Sequence, residues 1–155
     1  MGAIEDRLAH LGIELPPAVT PIANFALTAP VGPLLFVSGH GPTSGPEIMF
    51  RGRVPNEVSV EEAYRAARLT ALNCLRSIQD ELGTLDRVRR IVKVLGMVWS
   101  DSDFTGQPQV INGASDLFVE VFGEAGRHAR SAVGMAALPG GIPVEVDLVC
   151  EIEER

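Results

Sequence analysis

Chemistry-bearing side chains concentrate in one stretch of this chain, His128 to Asp147, HARSAVGMAALPGGIPVEVD. Arg130 is its centre. A guanidinium is a planar fork that can hold a carboxylate through two parallel hydrogen bonds, which a lysine ammonium does not reproduce. Glu145 and Asp147 follow downstream, and a carboxylate whose pKa is raised in a dry cleft can orient or deprotonate a water. Arg130 heads an apolar run, Ala132 to Leu138, and a turn rich in Pro and Gly (Pro139, Gly140, Gly141, Pro143) returns the chain as a second strand carrying the two acids. Antiparallel pairing of these strands would place guanidinium and carboxylate on one sheet surface. Plainer readings stand beside this one. Arg130 can equally form a structural ion pair, with Glu145 or with an acid of a neighbouring subunit, and alternating acids on a strand can simply be its solvated face.

His40 and His128 lie at strand-end turns, where a histidine can transfer a proton near neutral pH; two surface-loop histidines are the simpler alternative. With His10 they make three scattered histidines without metal-ligand spacing, so no metal is expected. The glycines form neither Gly-x-Gly-x-x-Gly nor Gly-x-x-x-x-Gly-Lys, and no nucleotide cofactor is expected. Cys74 and Cys150 each fall on the apolar phase of an element and read as small buried hydrophobes, with a disulfide between them the lesser alternative. Trp99 closes a strand, either as a pocket wall or, by the plainer reading, as packing at a subunit contact.

The elements that must position these groups can be read in order. Ile4, Leu8 and Leu11 predict a short helix ending at Gly12. Phe25 to Thr28 and Leu34 to Ser38 predict a hairpin joined across Ala29 to Pro33. Ser59-Val60-Glu61-Glu62 is a capping box opening a helix to about Leu82, with Ala63, Ala66, Ala67, Thr70, Ala71, Cys74, Leu75, Ile78 and Leu82 as its apolar stripe and Gly83 at its end. Arg90 to Trp99 reads as a strand. Pro108 suits the start of a second helix, whose apolar face is Val110, Ile111, Ala114, Leu117, Phe118, Val121 and Phe122. Val144 to Ile152 alternates as a strand with one buried face. The expected fold class is α+β, two long helices on one face of a mostly antiparallel mixed sheet.

At 155 residues the chain is the size of one domain, and its net charge of −7 makes nucleic acid a poor partner. No apolar run has the length of a signal peptide or a membrane span, so a cytoplasmic protein without membrane contact is expected.

At Ser38-Gly39, Gly52-Arg53-Val54-Pro55, Asp103-Phe104, Asn112, Ala129-Arg130-Ser131, Leu138-Pro139 and Val144-Glu145-Val146-Asp147, the chain resembles the reactive intermediate deaminase family. This is the Rid or YjgF group, also known as endoribonuclease L-PSP. The likeness runs from about Phe25 to Ile152, which divides the chain into an N-terminal extension with a short helix (1–24) and a family-like domain (25–155). It implies a chorismate-mutase-like (bacillus type) fold assembling as a homotrimer with a cleft at each subunit boundary. It also implies hydrolysis of 2-aminoacrylate-type enamine or imine acids to 2-keto acids and ammonia, as in 2-iminobutanoate/2-iminopropanoate deaminases. By the same resemblance Arg130 holds the substrate carboxylate, Glu145 helps to place the water and Asn112 lies near the cleft; Ser131 and Phe25 are expected with them at the substrate site, and His40 and His128 join that set on the reading of the residues themselves. Departures mark a divergent branch. Phe25 stands where active members have a tyrosine, Ala132 where a cysteine is frequent, and His128 where a proline precedes Ala-Arg-Ser. Loss of the tyrosine hydroxyl keeps a second reading open, a trimeric binding protein for small carboxylic or keto acids; endoribonuclease activity is a third.

Overall fold

The computed structural model describes residues 2–154; the two terminal residues, included in the expected domain bounds, lie outside them. The chain runs α1 (Ala3–His10), β1 (Thr28–Val31), β2 (Leu34–His40), β3 (Thr43–Ser44), β4 (Glu47–Ile48), α2 (Val60–Leu82), β5 (Val88–Trp99), α3 (Gln107–Phe122), β6 (Ala129–Met135) and β7 (Val144–Ile152). Five strands form one sheet in the order β1-β2-β7-β5-β6, while β3 and β4 make a separate small hairpin. Only the β5–β6 pair in the large sheet is parallel. The α+β architecture expected from the sequence is the one observed.

Helix α2 is set by its ends and by one stripe. Ser59 accepts from the Glu62 amide while the Glu62 carboxylate accepts from the Ser59 amide, and Gly83 closes the helix at φ 82°. Ala63, Ala66, Ala67, Thr70, Ala71, Cys74, Leu75 and Ile78 are buried against the sheet and α3. Each fully buried Leu or Ile contributes about 1.5–3 kcal/mol, so truncating Leu75 to alanine would weaken the layer most directly, by about 2–5 kcal/mol. The small residues let the two helices approach closely. A Cβ at Gly113 of α3 would lie 2.0 Å from the Tyr64 carbonyl oxygen of α2.

Strand β7 keeps the alternation read from its sequence. Val144, Val146, Leu148, Cys150 and Ile152 are buried under the helices, and Glu145, Asp147, Val149 and Glu151 face the other side. Both cysteines are free and buried. Helix α1 packs on α3 and on the turn at Leu85–Arg87, with Leu8 in the main core. Trp99 packs within the chain beside Met97, Leu138 and Ile142.

Two expectations need correction. The first hairpin is shifted: β1 starts at Thr28, Pro30 lies inside it opposite Leu35, and the turn is only Gly32-Pro33. A proline is tolerated there because β1 is an edge strand and its outer side needs no donor. Strand β2 also runs past Ser38 to His40, across a bulge after Val37. The larger correction concerns β6 and β7, which are not paired. Strand β5 lies between them, because residues 136–143 form a connection that crosses over β5 instead of a tight hairpin.

Candidate functional site

Register decides which face each expected residue occupies. Arg130 is opposite Val94, and Val94 is opposite Leu148, both of which point to the helices. Arg130 therefore rises on the helix side of the outermost strand. Glu145 alternates onto the other face, opposite Met97. Within one chain, guanidinium and carboxylate are separated by the thickness of the sheet as well as by β5, and the single surface expected from sequence does not form.

On the helix side, α3 supplies the partners. Its core stripe is buried, and beside it Asn112, Ser115, Asp116 and Val119 recur at i, i+3, i+4 and i+7, which aligns them along one flank. Arg130 NH1 donates to Asn112 Oδ1 at 2.8 Å and to Ser115 Oγ at 3.1 Å. His128 Nε2 lies 2.9 Å from the same Ser115 Oγ, and its Nδ1 is 2.7 Å from the Gly126 carbonyl. A carbonyl only accepts, so Nδ1 carries the proton, Nε2 accepts, and the Ser115 hydroxyl donates to it. The imidazole also meets the Phe118 ring edge-on at 5.8 Å. Burial, and then the neighbouring Arg130 charge, hold the His128 pKa below its ordinary value, against an opposing effect of the Gly126 bond. The ring is neutral at pH 7.

These groups line a cleft of about 290 Å³, completed by Asp116, Val119 and Arg127. Arg130 is half-buried in it, and among the described residues it forms no ion pair. Asp116 is engaged by the Tyr64 hydroxyl at 2.7 Å. The intrachain ion-pair alternative for Arg130 is thereby overturned.

The remaining expected residues lie elsewhere. His40 is 5% exposed, not a surface-loop residue; its Nδ1 is 2.6 Å from the Ser38 carbonyl and its Nε2 2.8 Å from Ser77 Oγ. Burial lowers its pKa, against a raising effect of the Ser38 bond. Ser77 lines a second cleft, of about 330 Å³, with Ala26, Leu27, Thr28, Asp80 and Glu81, beside the edge strand β1. Phe25, 47% exposed, sits in the bend before β1 and not on a strand. On the open face of the sheet, Ser131 accepts from Lys93 Nζ at 2.9 Å. Glu145 lies over Gly39, where a Cβ would come within 2.6 Å of its Oε2, so only glycine leaves room for the carboxylate. Burial and then Asp147 raise the Glu145 pKa; burial raises that of Asp147, opposed by Lys93. No three His, Cys, Asp or Glu side chains among the described residues converge as a metal-ligand set.

The structure thus brings Asn112, His128 and Arg130 together and leaves Phe25, His40, Ser131 and Glu145 outside their cleft. Ser115, Asp116, Val119 and Arg127 were not foreseen. The signal for the first three was present, as the i+3, i+4 and i+7 neighbours of Asn112 on a helix already recognised.

The layered α+β domain is the fold of a known family. The family model described as "YjgF/chorismate_mutase-like, putative endoribonuclease" matches residues 5–152, and the chain belongs to that family. Protein TCP17 of Trypanosoma cruzi is 44% identical over 152 residues, covering 97% of this chain and 95% of that protein. The crystal structure of Atu1372 from Agrobacterium tumefaciens superposes with a TM-score of 0.89 at 46% identity, covering 97% of this chain and 92% of the other. A structure from Shewanella oneidensis, titled as a "putative endoribonuclease", gives a TM-score of 0.93 at 31% identity, covering 97% of this chain and 100% of the other. The chorismate-mutase-like fold expected from the resemblance is thus the fold of this chain.

Proposed function

We propose that the protein hydrolyses small imine acids of the 2-aminoacrylate type to 2-keto acids and ammonia, with the substrate carboxylate on Arg130. The observation that carries this reading is the state of Arg130. Its guanidinium is half-buried in a cleft, is oriented through NH1 by two neutral acceptors, and has no acid as an ion-pair partner within the described chain. Its remaining N–H edge suits a small organic anion. Asn112 and His128 belong to the same substrate site.

Glu145 as the water-placing acid, with Ser131 and Phe25, needs a second copy of the chain, because in one protomer it lies on the opposite sheet face from Arg130. A homotrimer supplies it. The open face and the β6 edge expose Phe36, Val133 and Met135 by 45%, 41% and 37%, an apolar surface that assembly would cover. The particle mass in solution should then be three times the 16.5 kDa chain. We propose a cytoplasmic location, as expected from the sequence; separately, no helix among the described residues is long and apolar enough to cross a membrane.

Ammonia release from enzymatically generated 2-iminopropionate tests the activity. A rate above buffer for wild type, lost in Arg130→Ala, is expected. The second reading, a carboxylate-binding trimer without turnover, is favoured by the missing hydroxyl at Phe25; it prevails if both proteins match buffer while pyruvate raises the melting temperature of wild type alone. Ribonuclease activity fits poorly with a net charge of −7.

A further inference from the structure

We propose that Ser115 and His128 form the proton relay of this site, Ser115 facing the reacting atoms and His128 holding the proton behind it. The inference rests on the deaminase reading and adds to it the groups that move protons. Three contacts define the direction of the relay. The Gly126 carbonyl fixes the proton on His128 Nδ1, Nε2 then accepts from the Ser115 hydroxyl, and the Ser115 oxygen accepts from Arg130 NH1. One hydroxyl therefore touches both the base and the anion-binding guanidinium. A substrate whose carboxylate sits on Arg130 has its adjacent carbon within the same cleft, which Ser115 and His128 both line.

The step balances without a co-reactant. Water adds its oxygen to C2 of the imine, and the C=N π pair moves to nitrogen. The water proton passes to Ser115 Oγ as the serine proton moves to His128 Nε2; the imidazolium returns a proton through Ser115 to nitrogen, giving the carbinolamine. In a second cycle the carbinolamine hydroxyl proton takes the same route to nitrogen. The C–N bond breaks with its pair on nitrogen, ammonia leaves, and the freed oxygen pair closes the keto C=O.

The groups facing His128 set its pH dependence. Arg130 and Arg127 flank it on the β6 side, the latter paired with Glu124, and Asp116 stands across the cleft with its carboxylate taken by Tyr64 of α2; the Arg68–Glu120 pair lies further along α3. Burial and Arg130 keep the imidazole neutral at pH 7, the form that can accept a proton. Activity should fall on acidification, with a midpoint below the ordinary histidine value of about 6.5.

The test is the pH profile of kcat/KM for ammonia release in wild type, His128→Gln, Ser115→Ala and Ser115→Thr, with pyruvate-induced thermal shift as the binding control. Relay loss should lower kcat roughly 100-fold or more in His128→Gln and Ser115→Ala. The pyruvate shift should fall far less than turnover, because Asn112 still holds Arg130 NH1; the acid limb should vanish in His128→Gln, and Ser115→Thr should restore turnover. Wild-type kcat and an unchanged acid limb in His128→Gln overturn the relay while leaving the deaminase reading intact. If that variant does not fold, wild-type kcat in Ser115→Ala overturns it equally. A wild type that releases no ammonia above buffer removes both.

Discussion

Replacing Arg130 by lysine keeps a positive charge and removes the fork, so it isolates the geometry on which the site depends. NH1 is committed to Asn112 and Ser115, which leaves the far edge of the guanidinium to meet a carboxylate in parallel. A hydrogen bond to a charged group contributes about 1.5–3 kcal/mol, and lysine forfeits at least one of the pair. At 1.4 kcal/mol per decade, affinity for pyruvate or 2-oxobutyrate should fall about 10- to 150-fold. Calorimetric titration measures this directly. In parallel, ligand at about 100 times Kd stabilises the wild type by about 2.7 kcal/mol. For a chain of this size that corresponds to a rise in Tm of roughly 5–11 °C. Arg130→Ala should show no rise at the same concentration. Equal affinity in wild type and Arg130→Lys, or an undiminished thermal shift in Arg130→Ala, refutes the carboxylate-fork argument.

Three further outcomes are expected. Gly113→Ala would gain about 1 kcal/mol of helix propensity elsewhere, but here its Cβ meets the Tyr64 carbonyl at 2.0 Å, so urea unfolding should show a net loss of about 1–3 kcal/mol. His40 is buried neutral with a lowered pKa, so below about pH 6.5 the unfolded chain takes up the proton first and native stability falls; Tm measured between pH 7.5 and 5.5 should drop more steeply in wild type than in His40→Gln. Burial raises the Cys74 pKa and pushes that of Cys150 up to about 12, so thiol reagents should leave the native protein unlabelled and modify both sites in denaturant; rapid labelling of the folded protein would contradict the packing.

Strong local signals in the sequence were reliable. The capping box at Ser59, the glycine stop at 83 and the strict alternation of β7 each have one physical solution, and the structure adopts it. Pairing between distant strands has no such local mark. The turn at 139–143 reads as a hairpin because its Pro and Gly content is that of a turn, yet residues 136–143 span β5, and this crossover, together with the face that register gives Glu145, separates it from Arg130. Similarly, the histidines were legible as unusual but not as buried. What fixes them is a backbone carbonyl two residues earlier and a serine from a helix, Ser77 for His40 and Ser115 for His128. Those partners emerge only when helix meets strand.

Close contacts of Gly113 with Tyr64 and of Gly126 with Phe118 pin both walls of the Arg130 cleft. Helix α3 is clamped at the very turn that carries Asn112 and Ser115, with no slack for a larger side chain, so that wall is inherited with the interior of the protein. The opposite wall is tied down where it begins, because a Cβ at Gly126 would lie 2.1 Å from the Phe118 carbonyl oxygen, and only beyond that glycine does a side chain, Arg127, reach solvent. Descendants of this chain should therefore change ligand preference through exposed lining positions such as Arg127, while both glycine contacts stay as they are.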